Sequence, residues 1–243
     1  MKVLVAGGSG ATGQMLVKQL LDRGLSVQAI VRSPDKFLKA VGERKRLLVI
    51  NASILELSDT ELVQHVHGCR AVVSCLGHTM SFRGVYGKPR RLVSEATLRL
   101  CEAIRTIKPT QPLKFVLMNS AGCRNDDLAE SVSVAEKCVV GLIGLLVPPH
   151  LDNEHASKYL RRQIGQQDES IEWTIVRPDT LVDNDDVSGY EVHRSPIRSA
   201  IFNAGQTSRV NVAHFMAELI TEDTVWNSWI GQSPVIYNSD SVE

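Results

Sequence analysis

The sequence predicts an α/β protein, a single domain built on a doubly wound, mostly parallel sheet. Three observations carry that expectation. Short, nearly continuous apolar runs alternate with stretches in which apolar residues recur at helical spacing. The runs lack the polar/apolar alternation of a half-solvated sheet, so they read as strands buried on both faces. No tandem repeat, low-complexity tract or Gly/Ser-rich linker divides the 243 residues, and one domain accommodates that length.

The first strand runs from Lys2 to Ala6, and Met15, Leu16, Leu20 and Leu21 mark the helix after it, which Gly24 ends. Further strands are expected at Ser26 to Val31, Arg46 to Ile50, Arg70 to Cys75, Leu113 to Met118 and Ile171 to Val176. Leu62, Val63 and Val66 mark a short helix. Val93, Ala96, Leu100, Ala103, Ile104 and Ile107 form one stripe of a long helix. Strand and helix in turn imply a parallel sheet covered on both sides. Beyond Arg177 the pattern loosens into an acidic stretch at Asp183–Asp186, a last helix near Val212 to Ile220, and a closing strand around Pro234 to Tyr237. Residues 178–243 are therefore expected to shape a substrate crevice beyond the carboxyl ends of the strands, with Asp179, Thr180, Tyr190 and His193 as polar groups to orient a small molecule.

Composition excludes several classes of function. Lys and Arg number 27, as do Asp and Glu, so no global positive field gathers nucleic acid or an anionic membrane. The cysteines Cys69, Cys75, Cys101, Cys123 and Cys138 lack metal-ligand spacing, which predicts buried free thiols, a reducing compartment and no metal site. The longest apolar run, Cys138 to Val147, is about half of the ~20 residues a bilayer span needs. A cytoplasmic monomer or homodimer acting on a small molecule is expected.

Directly after the first strand stands Gly7-Gly-Ser9-Gly10-Ala11-Thr12-Gly13, and the first helix follows at once. Glycines at this spacing allow a tight turn, a close approach of backbone N–H groups to a pyrophosphate, and tight packing of helix on sheet. Between the first strand and first helix of a βαβ unit, the motif is a specific signal for a dinucleotide.

Gly-x-x-Gly-x-x-Gly in this position resembles the short-chain dehydrogenase/reductase superfamily in its atypical branch. Within it, the chain is similar to the NAD(P)H-binding group of NmrA-like regulators and biliverdin reductase B/flavin reductase-like enzymes. Trp173-Thr-Ile-Val-Arg177-Pro178 also resembles that branch, where a strand delivers an Arg-Pro turn beside the nicotinamide. The likeness covers most of residues 1 to 181. It implies a Rossmann fold, a nicotinamide cofactor and oxidoreductase chemistry, with a non-catalytic dinucleotide sensor or a sugar-type epimerase/dehydratase as the alternatives.

The second strand ends in Val31-Arg32-Ser33, where NAD-binding folds commonly carry an acidic residue for the ribose 2′-OH. A guanidinium and a hydroxyl suit a 2′-phosphate instead, so NADP is expected, with NAD as the other possibility. Ala52 and Ser53 after the third strand, and Cys75, Leu76 and Gly77 after the fourth, are placed by topology to line the adenine and ribose. Asn119 belongs to the same set.

For catalysis the resemblance implies a Ser near the end of the fifth strand and a Tyr-x-x-x-Lys pair on the next long helix. Ser120 fills the first place. Lys158 is the candidate lysine, but Glu154 stands four residues before it. A register set by Tyr159-Leu-Arg161 puts the pair on Pro149 and Asn153. The expected tyrosine is thus missing, and Tyr159, about 100° around the helix from Lys158, does not replace it. His78, leaving the fourth strand, is the alternative acid, or else a histidine that anchors its own loop. Ser81 to Arg91, with two glycines and four basic groups, reads either as a lid or as a solvated lead-in to the long helix.

Overall fold

The computed structural model describes residues 1–78, 87, 89–125, 127–128 and 148–239. Its strands are β1 (Lys2–Ala6), β2 (Ser26–Val31), β3 (Leu47–Asn51), β4 (Ala71–Ser74), β5 (Leu113–Met118), β6 (Ile171–Pro178), β7 (Thr180–Val182), β8 (Tyr190–His193), β9 (Gln206–Ser208) and β10 (Val235–Asn238). The helices are α1 (Ala11–Asp22), α2 (Pro34–Val41), α3 (Asp59–Val66), α4 (Leu92–Ile107), α5 (Pro148–Tyr159), α6 (Arg209–Thr221) and α7 (Asp223–Trp229). A π-helical turn, Leu160–Ile164, continues α5.

Eight strands form the central sheet in the order β3-β2-β1-β4-β5-β6-β10-β8, parallel throughout except for the antiparallel edge strand β8. The order runs outward from β1 to β3 on one side and through β4 on the other. This places a switch point between β1 and β4, where an α/β sheet opens a crevice for ligands. Helices α1, α2, α6 and α7 bury one face around Leu16, Leu20, Phe37, Phe215 and Trp226. Helices α3, α4 and α5 bury the other around Leu62, Leu100, Ile104, Ala156 and Phe115. The fold is thus the Rossmann-type, doubly wound α/β architecture the strand pattern implies.

The structure departs from expectation in the last third. The strand at the C-terminal end does join β6, but β8 lies outside it, so the sheet is closed by a segment whose polar alternation conceals a strand. An edge strand needs only one buried face, and its sequence loses the continuous apolar signature. Helix α2 also goes unseen in the sequence, because only Phe37 and Val41 are buried in its eight residues. Of the loop Ser81 to Arg91 only Gly87 and Pro89–Arg91 fall within the described residues, and the apolar run Val139–Val147 lies outside them, as does Cys138.

Candidate functional site

A cavity of about 540 Å³ opens at the carboxyl ends of β1, β2, β3 and β4. Gly7, Ser9 and Gly10 form its floor, Arg32 and Ser33 one end, Ala52 and Ser53 a wall, and Cys75, Leu76 and Gly77 the wall opposite. Ten residues singled out in the sequence thus meet around one groove. Lys36, Ile54 and Leu92 line it too and went unnoticed, and Pro89 brings the end of the loop Ser81 to Arg91 to the same groove. Lys36 lies in the first turn of α2, four residues after Arg32, and both cations line the groove.

The glycines of the loop do different jobs. Gly7 has φ +78°, and a Cβ there would lie 2.7 Å from the carbonyl carbon of Cys75. At Gly13 a Cβ would lie 2.3 Å from the Gly7 carbonyl oxygen, so the loop closes on the helix only because both side chains are hydrogen. Gly10 differs, since a Cβ there would meet only that oxygen at 3.4 Å, an ordinary contact. The protein itself gives no steric reason for glycine at position 10. Gly10 also starts α1 without a side-chain cap and without an acidic residue in the first turn, so the N–H groups of that turn are left to a ligand or to water. Ser9, Gly10 and Ala11 are exposed, whereas Thr12 and Gly13 turn into the core.

Beyond Gly77 the wall is tied down by a buried carboxylate. Asp152 of α5 accepts from the backbone N–H of Val93 (2.7 Å) and of Ser94 (3.0 Å) and from the Ser94 hydroxyl. It thereby caps α4 from another helix, where the dipole favours a negative charge. His78 Nε2 lies 2.8 Å from Asp152 Oδ2, and the imidazole is 5% exposed. His78, expected either as an acid or as a loop anchor, is thus paired with a buried carboxylate, and the pair ties the β4 exit to α4 and α5. Burial pushes the Cys75 thiol, on the same wall, up to about 12, which makes it an inert apolar group.

The end of β5 is built differently. Asn119 accepts from the Ser120 N–H and donates Nδ2 to the Asn153 carbonyl at 2.9 Å, so its amide fastens β5 to α5 and is occupied. Ser120 Oγ accepts from the Gly122 N–H at 3.2 Å. Ala121 N donates to the Pro178 carbonyl, placing the Arg-Pro turn beside this stretch.

Arg177 requires a correction. Its side chain is 1% exposed, and the guanidinium donates to the carbonyls of Ser233 (2.7 Å), Cys123 (3.0 Å) and Arg194 (3.5 Å). Buried among backbone acceptors, it braces the C-terminal segments. Lys158 is exposed in the last turn of α5, beside the stripe that carries Leu151 and His155. Tyr190 belongs to the opposite side of the sheet, where it packs on Phe215 and donates to Glu218 at 2.6 Å. Asp179 accepts from Thr180 and Gly205, while His193 pairs with Glu191 at 3.1 Å. Among the described residues no group of His, Cys, Asp and Glu could hold a metal, and no helix is long and apolar enough to cross a membrane.

Residues 7–223 match the family described as NAD(P)H-binding. The chain is 29% identical over 180 residues to an uncharacterised chloroplastic protein of Arabidopsis thaliana, covering 74% of this chain and 59% of that protein. It is 31% identical over 127 residues to a cinnamoyl-CoA reductase of Medicago truncatula, covering 49% of this chain and 37% of the reductase. It therefore spans less than two thirds of the length of either relative. A short-chain dehydrogenase/reductase of Veillonella parvula, solved in complex with NADP, superposes with a TM-score of 0.71 at 15% identity over 100% of this chain and 96% of its own. At that identity the likeness is one of fold.

Proposed function

The chain belongs to the NAD(P)H-binding family, and from that premise we propose that it is an NADPH-dependent oxidoreductase passing a hydride to a small conjugated or carbonyl-bearing acceptor. The observation that carries this reading is the groove itself. It has an uncapped helix start with an unhindered glycine at its floor and two cations, Arg32 and Lys36, in its lining. The residues present fit a dinucleotide. First-turn N–H groups of α1 would take the pyrophosphate, Arg32, Ser33 and Lys36 the 2′-phosphate, and Ile54 with Cys75–Gly77 the adenine and ribose. When bound, the dinucleotide supplies the hydride chemistry.

The remaining work falls to the chain. His78 and Asp152 fix the groove wall, so that bound atoms are held in one geometry. Ser120 accepts from Gly122, and among the described residues its own hydrogen has no acceptor, which leaves it to donate to an acceptor's oxygen. The relative named as a cinnamoyl-CoA reductase supports a conjugated carbonyl as the acceptor class.

Two measurements test the reading. In calorimetric titrations, Arg32→Ala and Lys36→Ala each weaken NADPH by about 1.5–3 kcal/mol, roughly 10- to 150-fold, and leave NADH unchanged. Equal losses for both cofactors refute the phosphate assignment. Under anaerobic conditions the wild-type protein oxidises NADPH with at least one flavin, quinone or conjugated carbonyl. Oxidation with none of them would turn the conclusion toward a dinucleotide-binding regulator.

A further inference from the structure

We infer that His150, paired with Glu154, is the proton donor of this site, taking the place in which the expected tyrosine is missing. The inference rests on the oxidoreductase reading above and deepens it. Pro148 and Pro149 open α5, a position that suits proline because the first helical N–H groups need no partner. The next residue, His150, faces the end of β5. The point where a Cβ of Gly122 would sit is 3.6 Å from Ser120 Oγ and 3.9 Å from His150 Cε1. Hydroxyl and imidazole therefore border the same small space, left open by a glycine.

The imidazole is set up for ionic work. Its side chain is 13% exposed, and Nε2 lies 3.3 Å from Glu154 Oε1, one turn along the helix. Nε2 is buried against Glu154, so the carboxylate steadies the ring through that nitrogen and the other ring nitrogen, Nδ1, is the one left to serve a ligand. The pairing has a counterpart on the carboxylate, since His150, foremost, holds Glu154 below the usual carboxylate range against the opposing effect of burial. His155 and Arg124 act on Glu154 in the same direction. Cys123, which feels both Glu154 and Arg177, is pushed up to about 12 by burial and stays protonated. Helix α5 thus spans both strand ends, with Asp152 turned to the exit of β4 and His150 to that of β5.

As the acceptor's carbonyl carbon takes up the hydride that a bound dinucleotide would supply, the carbonyl π pair moves to oxygen. Where the β-carbon of a conjugated acceptor takes it up, the C=C π pair shifts to the bond between α-carbon and carbonyl carbon and the carbonyl π pair again moves to oxygen, giving an enol on protonation. That oxygen, hydrogen-bonded by Ser120, takes the proton from the His150 imidazolium, an O–H bond forming as the N–H bond breaks. Solvent then reprotonates the ring, whose charge Glu154 stabilises.

The test uses His150→Gln and Glu154→Gln in the full chain, with two classes of acceptor. Reduction of a conjugated carbonyl falls at least 100-fold in kcat for His150→Gln, with KM and NADPH affinity within about twofold. Reduction of a flavin, which accepts hydride to give an anion and draws its proton from water, is unchanged. Independently of turnover, carbon-13 NMR of the Glu154 carboxyl shows its titration moving up in pH in His150→Gln. Unchanged carbonyl reduction, an equal loss with both acceptors, or a Glu154 titration that does not move overturns the assignment. A wild-type protein that binds NADPH and reduces no acceptor instead refutes the reading beneath it, and the donor role falls with it.

Discussion

Replacing Gly10 and Gly13 by alanine, one at a time, separates a glycine kept for a ligand from a glycine kept for the fold. At position 10 the new methyl meets only the Gly7 carbonyl oxygen at 3.4 Å, and the backbone, with φ −71° and ψ 159°, is one that alanine adopts freely. Alanine caps a helix less well than glycine, by roughly 0.5–1 kcal/mol, but its smaller unfolded-state entropy returns about 0.4–1 kcal/mol. The net is near zero, so Tm stays within about 3 °C. At position 13 the methyl sits 2.3 Å from the Gly7 oxygen and 3.0 Å from Gly8 Cα, both backbone atoms that cannot rotate aside. Loop and helix must part, at a cost of about 1–3 kcal/mol or more. For a chain of this size Tm falls by about 2–12 °C. Binding follows the opposite order of cause. A methyl on the exposed floor at position 10 stands where a pyrophosphate approaches and removes at least one charge-assisted hydrogen bond, worth about 1.5–3 kcal/mol, so NADPH weakens roughly 10- to 150-fold in a folded protein. Differential scanning calorimetry and isothermal titration on both variants read these quantities. Full NADPH affinity in Gly10→Ala would refute the claim that a ligand reaches that glycine, and an unchanged Tm in Gly13→Ala would refute the packing argument.

Asp152→Asn keeps the shape of the buried carboxylate but removes its charge and turns an NH₂ toward the Val93 N–H or the Ser94 N–H. One buried donor is orphaned and a helix start loses its anion, which together cost about 2–4 kcal/mol in thermal or urea unfolding; a loss below ~0.5 kcal/mol contradicts the tether. Arg177→Met leaves three backbone carbonyls without their donor and lowers stability by about 3 kcal/mol or more. Calorimetry on the still-folded variant shows NADPH affinity within twofold of wild type, whereas a tenfold loss restores Arg177 to the cofactor site.

The parts of this protein legible in the sequence are those in which neighbouring residues carry the whole cause. Continuous apolar runs such as Val3–Ala6 and Val72–Val73 are buried on both faces of the parallel sheet, so each advertises itself without its partners. The glycine loop is likewise local, because seven consecutive residues make the turn, the close approach and the helix start. Arg32 could be read as a cation at the end of β2 for the same reason. Edge strand β8 and short helix α2, half in water, leave too weak a pattern to be seen.

What the sequence could not contain is the company each side chain keeps. Nothing near His78 in the sequence announces its partner, a carboxylate 74 positions away on α5 that stands at 2.8 Å. Arg177, set beside a proline in a motif that points to the cofactor, is claimed by carbonyls from residues 123, 194 and 233. Conversely, His150 has no feature that marks it in one dimension, and only the packing of α5 across the ends of β4 and β5 brings it to Ser120. Burial and pairing decide whether a polar group is reactive or spent, and both are set by long-range contacts that a linear pattern does not encode.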